Sequence, residues 1–421
     1  FRVNSGEYKL MGLAPYGEAR YTDKIRDNLI DLKGDGSFQL NLDYFGFLDS
    51  DTMTNSNFDQ LFGGSAREPE SRITRREIDL AASIQIVTEQ AMLGLVKHAH
   101  SITDKQNLCL AGGVALNCVA NGQVLREGPF QKIWIQPAAG DAGGALGAAL
   151  AASYMRFGVP RPLPNGNEDS QQGSYLGPAY SDTEIAAFLN RYEYPHEVIK
   201  DDTRRAERIA QHIDDGDIVG FFSGRMEFGP RSLGARSILG DPRNPETQTR
   251  MNLKIKFRES FRPFAPSILE SRTTDYFDLQ SPSPYMLLVA PVRSDKQIEF
   301  DKTSFDAGDD DLLTLVRQSR SDIPAVTHVD YSARIQTVND HHHPEFFRLL
   351  SAFEKRTGCP VLVNTSFNVR GEPIVCSPDD AYRCFMHTEM DVLVLGHRLL
   401  LKAEQPATTT EKMRKHNYEL D

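Results

Sequence analysis

The fold of the first part of the chain is decided by the stretch LCLAGGVALN at residues 108–117. The short apolar run at its start predicts a buried strand, and the glycine pair that follows predicts a turn into the next element. The pattern recurs downstream, where the apolar run IWI at 133–135 leads into GDAGG at 140–144 and an alanine-rich segment. Two consecutive strand, glycine-turn and helix units predict parallel α/β architecture.

Apolar residues at helical spacing precede this unit: Leu80, Ile84, Val87, Ala91 and Leu95 predict a long amphipathic helix. Further strands are predicted at 218–222, 361–363 and 392–395. A helix is predicted near residue 378, because Ser377 suits the N-cap and Pro378 the first helical position.

A polar stretch rich in proline and glycine divides the chain at residues 159–177 and predicts an interdomain linker. We therefore predict one α/β domain over 1–158 and a second over 178–404. The threonine-rich tail at 405–421 is expected to fray. The chain starts at Phe1 within sequence that already resembles folded protein, and we expect an N-terminal portion to be missing.

The 421 residues carry 58 acidic and 47 basic side chains, for a formal charge of −11. This balance disfavours a general nucleic-acid or anionic-membrane binder, so any anion site must be built locally. Five widely spaced cysteines suit neither a disulfide framework nor a zinc site and predict a cytoplasmic protein. No apolar run approaches the length of about 20 residues that spans a bilayer.

The two glycine loops predict half of a nucleotide cradle. Glycines at a strand end let backbone N–H groups approach phosphate, and a following helix N-terminus adds partial positive charge. Asp141 in the second loop could hold a cation. The same glycines also suit tight strand-to-helix turns without a ligand, and no P-loop or dinucleotide-binding fingerprint is present.

Two basic segments predict a phosphate site. The first is GRMEFGPRSLGARS at 224–237, where three arginines alternate with glycines that remove side-chain bulk, and the second is KIKFRESFRPF at 254–264. Arginine forks match phosphate oxygens. A charged surface or a stacking platform for single-stranded nucleic acid are the alternatives. Proline and phenylalanine around Arg262 favour a partly buried cation, which an anionic ligand would stabilise.

Two further motifs are ambiguous. The segment VLVNTSFN at 361–368 brings an amide and two hydroxyls to a strand end, where they could bind a carbamoyl amide and carbonyl or cap a turn. The run DHHHPE at 340–345 resembles a metal site only superficially, because adjacent histidines point in different directions. We interpret it as a solvated helix start.

Taken together, these motifs resemble the O-carbamoyltransferases of nodulation-factor and antibiotic biosynthesis, of the NodU and CmcH type. The segments that match in order are EYKLMGLAPYG at 7–17, the two glycine loops, residues 225–237, residues 256–266 and NTSFN at 364–368. The resemblance covers nearly the whole chain. It implies an α/β fold in which part of an actin-like and sugar-kinase-like ATPase domain is followed by a YrdC-like α/β domain.

The resemblance also implies an activity. The second domain would condense carbamoyl phosphate with ATP to carbamoyladenylate, and the first would transfer the carbamoyl group to a hydroxyl of a small-molecule acceptor. Residues implied to surround carbamoyl phosphate are Arg231, Lys256, Arg262, Arg334, Asn364 and Ser366, of which Arg231, Lys256 and Arg262 would be catalytic. Residues implied to hold the nucleotide are Gly112, Gly113, Asn117, Gly143 and Gly144. Mg²⁺ would accompany ATP, and Asp141 would ligate iron or another divalent metal.

One departure from the family pattern bears on transfer. The family's histidine metal ligands precede the EYKLMGLAPYG motif, so Asp141 would be an incomplete metal site unless a further segment or a separate chain supplies the rest. Two alternatives stay open. One is a threonylcarbamoyladenylate-type enzyme of tRNA modification, which the acidic balance disfavours; the other is a nucleotide-binding regulatory module without turnover.

Overall fold

The computed structural model describes residues 6–68, 70–162, 169–300 and 314–406. The principal helices are α1 (Glu7–Leu13), α2 (Thr22–Asn28), α3 (Ser56–Phe62), α4 (Arg75–Thr103), α5 (Cys118–Glu127), α6 (Asp141–Ala151), α7 (Asp182–Arg191), α8 (Asp202–Asp214), α9 (Glu246–Arg250), α10 (Thr273–Tyr276), α11 (Pro344–Thr357) and α12 (Pro378–His387). The strands are β1 (Ile30–Leu32), β2 (Phe38–Leu40), β3 (Asn107–Leu110), β4 (Lys132–Ile135), β5 (Glu197–Val198), β6 (Val219–Phe222), β7 (Arg236–Gly240), β8 (Ala265–Leu269), β9 (Leu288–Pro291), β10 (Ser332–Val338), β11 (Val361–Ser366), β12 (Val392–Leu395) and β13 (Arg398–Leu401).

The second part of the chain is organised around a nine-stranded sheet of order β5-β13-β12-β6-β7-β11-β8-β10-β9. Two neighbouring pairs, β12 with β6 and β8 with β10, are parallel, and the other six pairs are antiparallel. The predicted α/β class is confirmed, with a mixed sheet here. The central strands β6, β7 and β8 are buried along their whole length, although β7 begins with Arg236 and Ser237 and β8 contains Ser267.

A single large core joins this sheet to its helices. Helix α11 packs against α8 and both lie on the sheet through apolar stripes, with Phe346 and Phe353 of α11 fully buried. Three residues from the first part of the chain, Ala115, Ile135 and Ala139, belong to the same core. Packing therefore crosses the predicted boundary at 159–177, and the division of the chain into two domains stays a prediction.

Strands β3 and β4 form a separate two-stranded parallel sheet, as the repeated glycine-turn units predict. The prediction that the first of these strands is buried is wrong. Cys109 is exposed and Trp134 is 41% exposed, whereas Leu110 and Ile135 on the other face pack against the main core. Within the described residues, no element covers the outer face of this small sheet.

Other predicted elements are confirmed. The amphipathic helix extends over Arg75–Thr103, and a capping box links Thr74 to Glu77 at its start. Helix α12 begins at Pro378 with Ser377 as N-cap, and the Ser377 side chain accepts from the Asp380 N–H. Strand β11 is longer than predicted, because its pairing with β7 continues to Ser366.

The structure describes parts of the predicted linker at 159–177 and of the predicted tail at 405–421. Within the predicted linker, Ser174 is buried and donates to the Phe228 carbonyl at 2.6 Å. At the tail, fraying does not begin at Gln405, which is buried and donates to the Pro195 carbonyl at 3.0 Å. Residues 163–168 of the linker and 407–421 of the tail lie outside the described residues. In the described part of the chain, no helix combines the length and apolar character needed to cross a bilayer.

Candidate anion-binding site

A cavity of about 330 Å³ lies where strands β8, β10 and β11 meet the loop that precedes β7. Its volume falls within the range of small-ligand sites. All six side chains predicted to surround carbamoyl phosphate line this one cavity: Arg231, Lys256, Arg262, Arg334, Asn364 and Ser366. Sheet register explains part of the convergence, because Asn364 of β11 lies opposite Ala265 of β8, just beyond the segment that carries Lys256 and Arg262.

Lys256 is held inside the protein by a turn that the sequence does not reveal. It ends the π-helical segment Met251–Lys256, and the next residue, Phe257, adopts a left-handed conformation with φ 48°. Phe257 is 51% exposed, whereas Lys256 and Arg258 on either side both line the cavity. A left-handed conformation at a bulky residue is strained, and such strain concentrates at functional sites.

The Lys256 ammonium, which has three N–H donors, lies within hydrogen-bonding distance of four oxygens of the loop after β11. These are the Ser366 carbonyl at 2.8 Å, Ser366 Oγ at 3.2 Å, the Asn368 carbonyl at 2.7 Å and Asn368 Oδ1 at 2.6 Å. Burial, followed by repulsion from Arg258, holds the pKa of Lys256 well below its usual value. The lysine thus fixes the loop that carries Ser366 while it contributes positive charge to the cavity.

The protein only partly neutralises and hydrogen-bonds the arginines of the cavity. Within the described residues, Nε of Arg231 and Nε of Arg334 have no hydrogen-bond partner. Burial and the neighbouring Arg334 lower the pKa of Arg231 to about 9, and burial also lowers the pKa of Arg334. Arg262 is better paired, since it lies 3.5 Å from Glu259 and over the ring of Tyr8. Grouped cations with few counterions provide what a multiply charged anion requires.

Arg258 is a cavity residue that sequence reasoning missed. It donates through Nε to Asn252 Oδ1 at 2.7 Å and lies over the Phe264 ring, and burial followed by Arg262 lowers its pKa. The only signal was its place between Lys256 and Arg262 in the same basic segment. The left-handed turn at Phe257, which turns it inward beside Lys256, could not be predicted.

The other two arginines of residues 224–237 do not present their guanidinium groups to the cavity. Arg225 is exposed and donates to the carbonyls of Tyr175 and Leu176. Arg236 is fully buried, donates to backbone carbonyls including that of Ala235, and stacks on Phe222 at 3.5 Å. The interpretation of all three arginines as ligand-presenting is therefore wrong for these two, which stabilise the loop instead.

The opposite wall of the cavity comes from the first part of the chain. It includes Tyr8, Met11 and Gly12 of α1, together with Cys118 and Val119 at the start of α5. Helix α1 is held here because His328 Nε2 lies 3.1 Å from the Gly12 carbonyl and Lys9 lies 3.3 Å from Glu259. The sequence identified the EYKLMGLAPYG motif without assigning this role to it.

The two glycine loops lie side by side at the carboxyl ends of β3 and β4, where the Gly112 N–H donates to the Ala139 carbonyl at 2.9 Å. Gly112 has φ 94°, and an added Cβ at Gly112, Gly113 or Gly144 would meet no atom within 4 Å. The predicted glycine loop at 140–144 is shorter than expected, because α6 begins at Asp141 and contains Gly143 and Gly144 in its first turn. The Gly143 N–H donates to the Gly140 carbonyl at 3.1 Å, so a phosphate at this helix N-terminus would meet the N–H groups of Asp141 and Ala142 first.

Asn117, the fifth predicted nucleotide residue, has its side chain engaged by the protein. Its Oδ1 accepts from the Ala120 N–H at 3.1 Å, and its Nδ2 donates to Gln85 at 3.0 Å. It caps α5 and ties it to α4. These contacts describe a structural role, and a contact with nucleotide stays a prediction.

The predicted metal ligand Asp141 is exposed at the start of α6. Among the described residues, no group of three or more His, Cys, Asp or Glu side chains could hold a metal ion. The described residues therefore do not form a complete metal site at Asp141.

The DHHHPE run is a helix start, as predicted, but it is not fully solvated. His343 is buried, its Nδ1 accepts from the Phe346 N–H, and its Nε2 lies 3.1 Å from the Gly234 carbonyl. Burial lowers the pKa of His343 to about 4. This histidine supports the loop that carries Arg231 rather than a metal.

Comparison with known proteins identifies the family to which this chain belongs. Residues 1–150 match the family described as Carbamoyltransferase N-terminus, and residues 210–402 match the one described as Carbamoyltransferase C-terminus. The chain belongs to the carbamoyltransferase family. The resemblance noted from the motifs is thereby confirmed, and the family is one of enzymes.

Three relatives illustrate the extent of similarity within the carbamoyltransferases. The uncharacterized protein sll1178 of Synechocystis is 53% identical, over 100% of this chain and 68% of its own length. The nodulation protein NolNO of Sinorhizobium fredii is 39% identical, over 94% of this chain and 53% of its own length. The nodulation protein NolO of Bradyrhizobium diazoefficiens is 36% identical, over 94% of this chain and 66% of its own length. The chain thus spans about half to two thirds of the length of these relatives.

A solved structure, that of full-length HypF in the phosphate- and nucleotide-bound form, is 16% identical with a TM-score of 0.31. It covers 50% of this chain and 22% of the HypF chain.

Proposed function

We propose that this chain binds carbamoyl phosphate in the cationic cavity and, with ATP, activates it as carbamoyladenylate for transfer to a hydroxyl of a small-molecule acceptor. The observation that carries the proposal is the convergence of Arg231, Lys256, Arg262 and Arg334 on one cavity from separate segments. This local positive charge stands in a chain whose formal charge is −11. Family membership supports the carbamoyl group as the part that is transferred.

The energetics favour a dianionic ligand. A charge-assisted hydrogen bond contributes about 1.5–3 kcal/mol, so three or four such bonds offset ordering costs and support sub-millimolar binding. Charge compensation is also the main catalytic task, because the phosphates of ATP and the carbamoyl donor repel each other. Preorganised cations lower that repulsion, so that the attacking and leaving oxygen atoms can approach in line.

The products follow from the balance of atoms. Carbamoyladenylate joins a carbamoyl oxygen to the α-phosphorus of ATP, so pyrophosphate leaves ATP. The carbamoyl donor loses its phosphate, and one water molecule completes the balance. Each turnover therefore yields one pyrophosphate and one phosphate, and pyrophosphate release should depend on carbamoyl phosphate.

The glycine loops supply the second part of the proposal. In the first part of the chain, nucleotide phosphates would lie against the open loop at Gly112 and Gly113 and against the start of α6, whose first turn contains Gly143 and Gly144. Mg²⁺ would accompany ATP. A metal at Asp141 would require further ligands, and the transfer step is proposed for the longer proteins that this chain resembles. A cytoplasmic location belongs to the same proposal.

Substitution within one loop tests the activation step. Arg231→Ala removes a cavity cation, whereas Arg225→Ala in the same segment removes an exposed side chain that does not line the cavity. We expect Arg231→Ala to lower carbamoyl-phosphate-dependent pyrophosphate release at least about a hundredfold, consistent with the loss of about 3 kcal/mol. Arg225→Ala should retain release within about threefold.

Release is measured by a coupled pyrophosphate assay, and circular dichroism checks that both variants fold. Equal release by Arg231→Ala and the unsubstituted chain would contradict the assignment of the cavity. Release without carbamoyl phosphate would contradict the proposed substrate.

A further inference from the structure

Arg370 is a cation of the cavity wall that is already paired with a carboxylate of the protein. It lies in the loop after β11, lines the cavity, and its backbone N–H donates to the Lys256 carbonyl at 3.1 Å. Its side chain is 9% exposed. Nη1 donates to Glu70 Oε2 at 3.0 Å and Nη2 donates to Glu70 Oε1, so both carboxylate oxygens bind one guanidinium fork.

The Arg370 guanidinium belongs to the same group of cations as Arg262. The Glu259 carboxylate lies 3.9 Å from Arg370 and 3.5 Å from Arg262, so it joins the two guanidinium groups. Arg370 therefore extends the cationic wall of the cavity. A phosphate group bound beside Arg262 meets a second guanidinium nearby, provided that this guanidinium can exchange its partner.

The protein holds the carboxylates of Glu259 and Glu70 to different degrees. The Glu259 side chain is 19% exposed and lies 3.3 Å from Lys9, which is fully buried, in addition to its two arginine partners. The Glu70 side chain is 47% exposed and comes from a loop 300 residues away in the sequence. Glu259 is thus a fixed counterion, whereas Glu70 can exchange its ion pair for water at a small cost in free energy.

The conformation and chemistry of Glu70 suit such an exchange. Its backbone is left-handed, with φ 60°, which is uncommon for a residue with a side chain. Residues in this conformation concentrate at ligand clamps and switches. The guanidinium fork binds two carboxylate oxygens in the same way as two phosphate oxygens. At Arg370, Glu70 therefore takes the place that a phosphate group of a ligand would take.

We propose that Glu70 is an internal competitor of anionic ligands, which pairs with Arg370 in the free protein and is displaced by a phosphate group. The inference rests on the proposed function only in that the cavity must bind a phosphate compound. It adds that Glu70 weakens this binding and that Arg370 contacts the ligand after the exchange. Because one anion replaces another, the guanidinium is never left without a counterion while ligands enter and leave.

Titration calorimetry of the full chain with inorganic phosphate and with pyrophosphate tests the competition. Glu70→Gln keeps the shape of the side chain and removes the competing charge, so both probes should bind about three- to tenfold more tightly. Glu68→Gln is the matched control, because it removes another exposed carboxylate from the same loop. It should change the affinity for either probe less than about twofold.

A double-mutant cycle tests whether the effect of Glu70 passes through Arg370. Arg370→Met removes the guanidinium with which Glu70 pairs. Addition of Glu70→Gln to Arg370→Met should therefore change the affinity less than about twofold. The full gain in that background would show that Glu70 acts through its general charge, and it would overturn the competition. Circular dichroism checks that each variant is folded.

The remaining outcomes separate this inference from the function on which it rests. Equal affinities of Glu70→Gln and the unsubstituted chain for both probes would overturn the competition and leave the proposed function intact. An equal gain in Glu68→Gln and Glu70→Gln would do the same. If neither the unsubstituted chain nor Glu70→Gln binds phosphate, pyrophosphate or carbamoyl phosphate, the proposed function fails together with the inference.

Discussion

Lys256 shows how one side chain joins stability to ligand binding. Its ammonium is enclosed by oxygens of Ser366 and Asn368, yet it forms no ion pair with any described carboxylate. Neutral oxygens satisfy its hydrogen bonds but only partly compensate the loss of hydration. The pKa of Lys256 is lowered because its lost hydration is only partly compensated. An anion in the cavity would reduce the free-energy cost of the charged ammonium.

The sign of the resulting pH dependence can be predicted. The folded-state pKa of Lys256 lies below its usual 10.5, so the charged form costs folding free energy at neutral pH, and this cost vanishes above 10.5. An anion favours the charged form. Phosphate affinity should therefore fall as pH rises through the depressed pKa, by up to about tenfold per pH unit above it.

Calorimetry with inorganic phosphate measures this dependence. The titrations begin at about pH 8, where phosphate is already a dianion. Lys256→Met provides the matched control, because it lacks the titrating lysine but keeps Arg231, whose pKa of about 9 affects both profiles alike. It should show weaker binding and a smaller dependence on pH over the same range. A profile for the unsubstituted chain as flat as that of Lys256→Met would contradict the role of Lys256.

At the scale of single residues, the sequence predicted which side chains supply the cavity cations. It did not predict which groups each of these side chains contacts. Arginine and lysine in glycine- and proline-rich segments predicted the cavity cations, because such residues favour constrained, partly buried cations over solvated ones. Arg236 follows the same local pattern but binds carbonyls and Phe222 instead. Pattern alone could not separate it from Arg231, since the difference lies in which way each side chain points from one loop.

The loop between β6 and β7 is organised by a buried carboxylate. Glu227 is 7% exposed, and its Oε1 accepts from the N–H groups of Leu233 at 2.6 Å, Ala235 at 2.9 Å and Arg236 at 3.4 Å. These bonds close the loop that carries Arg231 and Ser232. Burial raises the pKa of Glu227, whereas the hydrogen bonds from the Ala235 and Leu233 N–H groups favour its ionised form.

Two substitutions separate acceptor from charge. Glu227→Gln keeps an oxygen that can accept from the three N–H groups, whereas Glu227→Leu leaves them unpaired. We expect Glu227→Leu to lower the free energy of unfolding by at least about 3 kcal/mol, at about 1–3 kcal/mol for each unpaired buried donor. Glu227→Gln should be clearly less destabilising.

Denaturant unfolding followed by circular dichroism gives both values. Equal destabilisation by the two substitutions would show that the charge, through its attraction to Arg236, dominates instead. The Glu227→Leu protein should also bind phosphate more weakly, because Arg231 lies within the loop that is released.

At the scale of elements, the sequence located the buried strands well but not their partners. Apolar runs predicted β6, β11 and β12, since each is enclosed on both faces. The direction of neighbouring strands depends on which elements the loops bring together, and no local pattern records it. The antiparallel pairing of β11 with β7 and β8 therefore emerged only from the structure.

At the scale of the molecule, the cavity is composite. Its walls come from residues within 8–15, 118–119, 230–232, 256–265, 286–289, 326–334 and 364–371. Helix α5 is fixed against the large sheet by Asn121, whose Nδ2 donates to the Leu287 carbonyl at 3.0 Å. Helix α5 and strand β9 approach closely at Gly122, because an added Cβ there would lie only 2.1 Å from the Val289 carbonyl oxygen. The first part of the chain thereby completes a site whose cations come from the second.

The wall of the cavity that the first part of the chain supplies could not be predicted from the sequence. Residues that are distant in sequence meet only because α1 and α5 dock on the sheet, through contacts such as that of Tyr16 with the Phe261 carbonyl at 3.0 Å. The motif at residues 7–17 was identified by resemblance, but its place at the cavity wall depends on tertiary packing. The glycine loops around Gly112 and Asp141 lie outside the lining of this cavity.

A crystal structure of the chain with carbamoyl phosphate and ATP tests the account most directly. We expect phosphate density within hydrogen-bonding distance of Arg231, Lys256, Arg262 and Arg334, with the carbamoyl group beside Asn364. Carbamoyl phosphate bound elsewhere, with the cationic cavity unoccupied at saturating ligand, would contradict it.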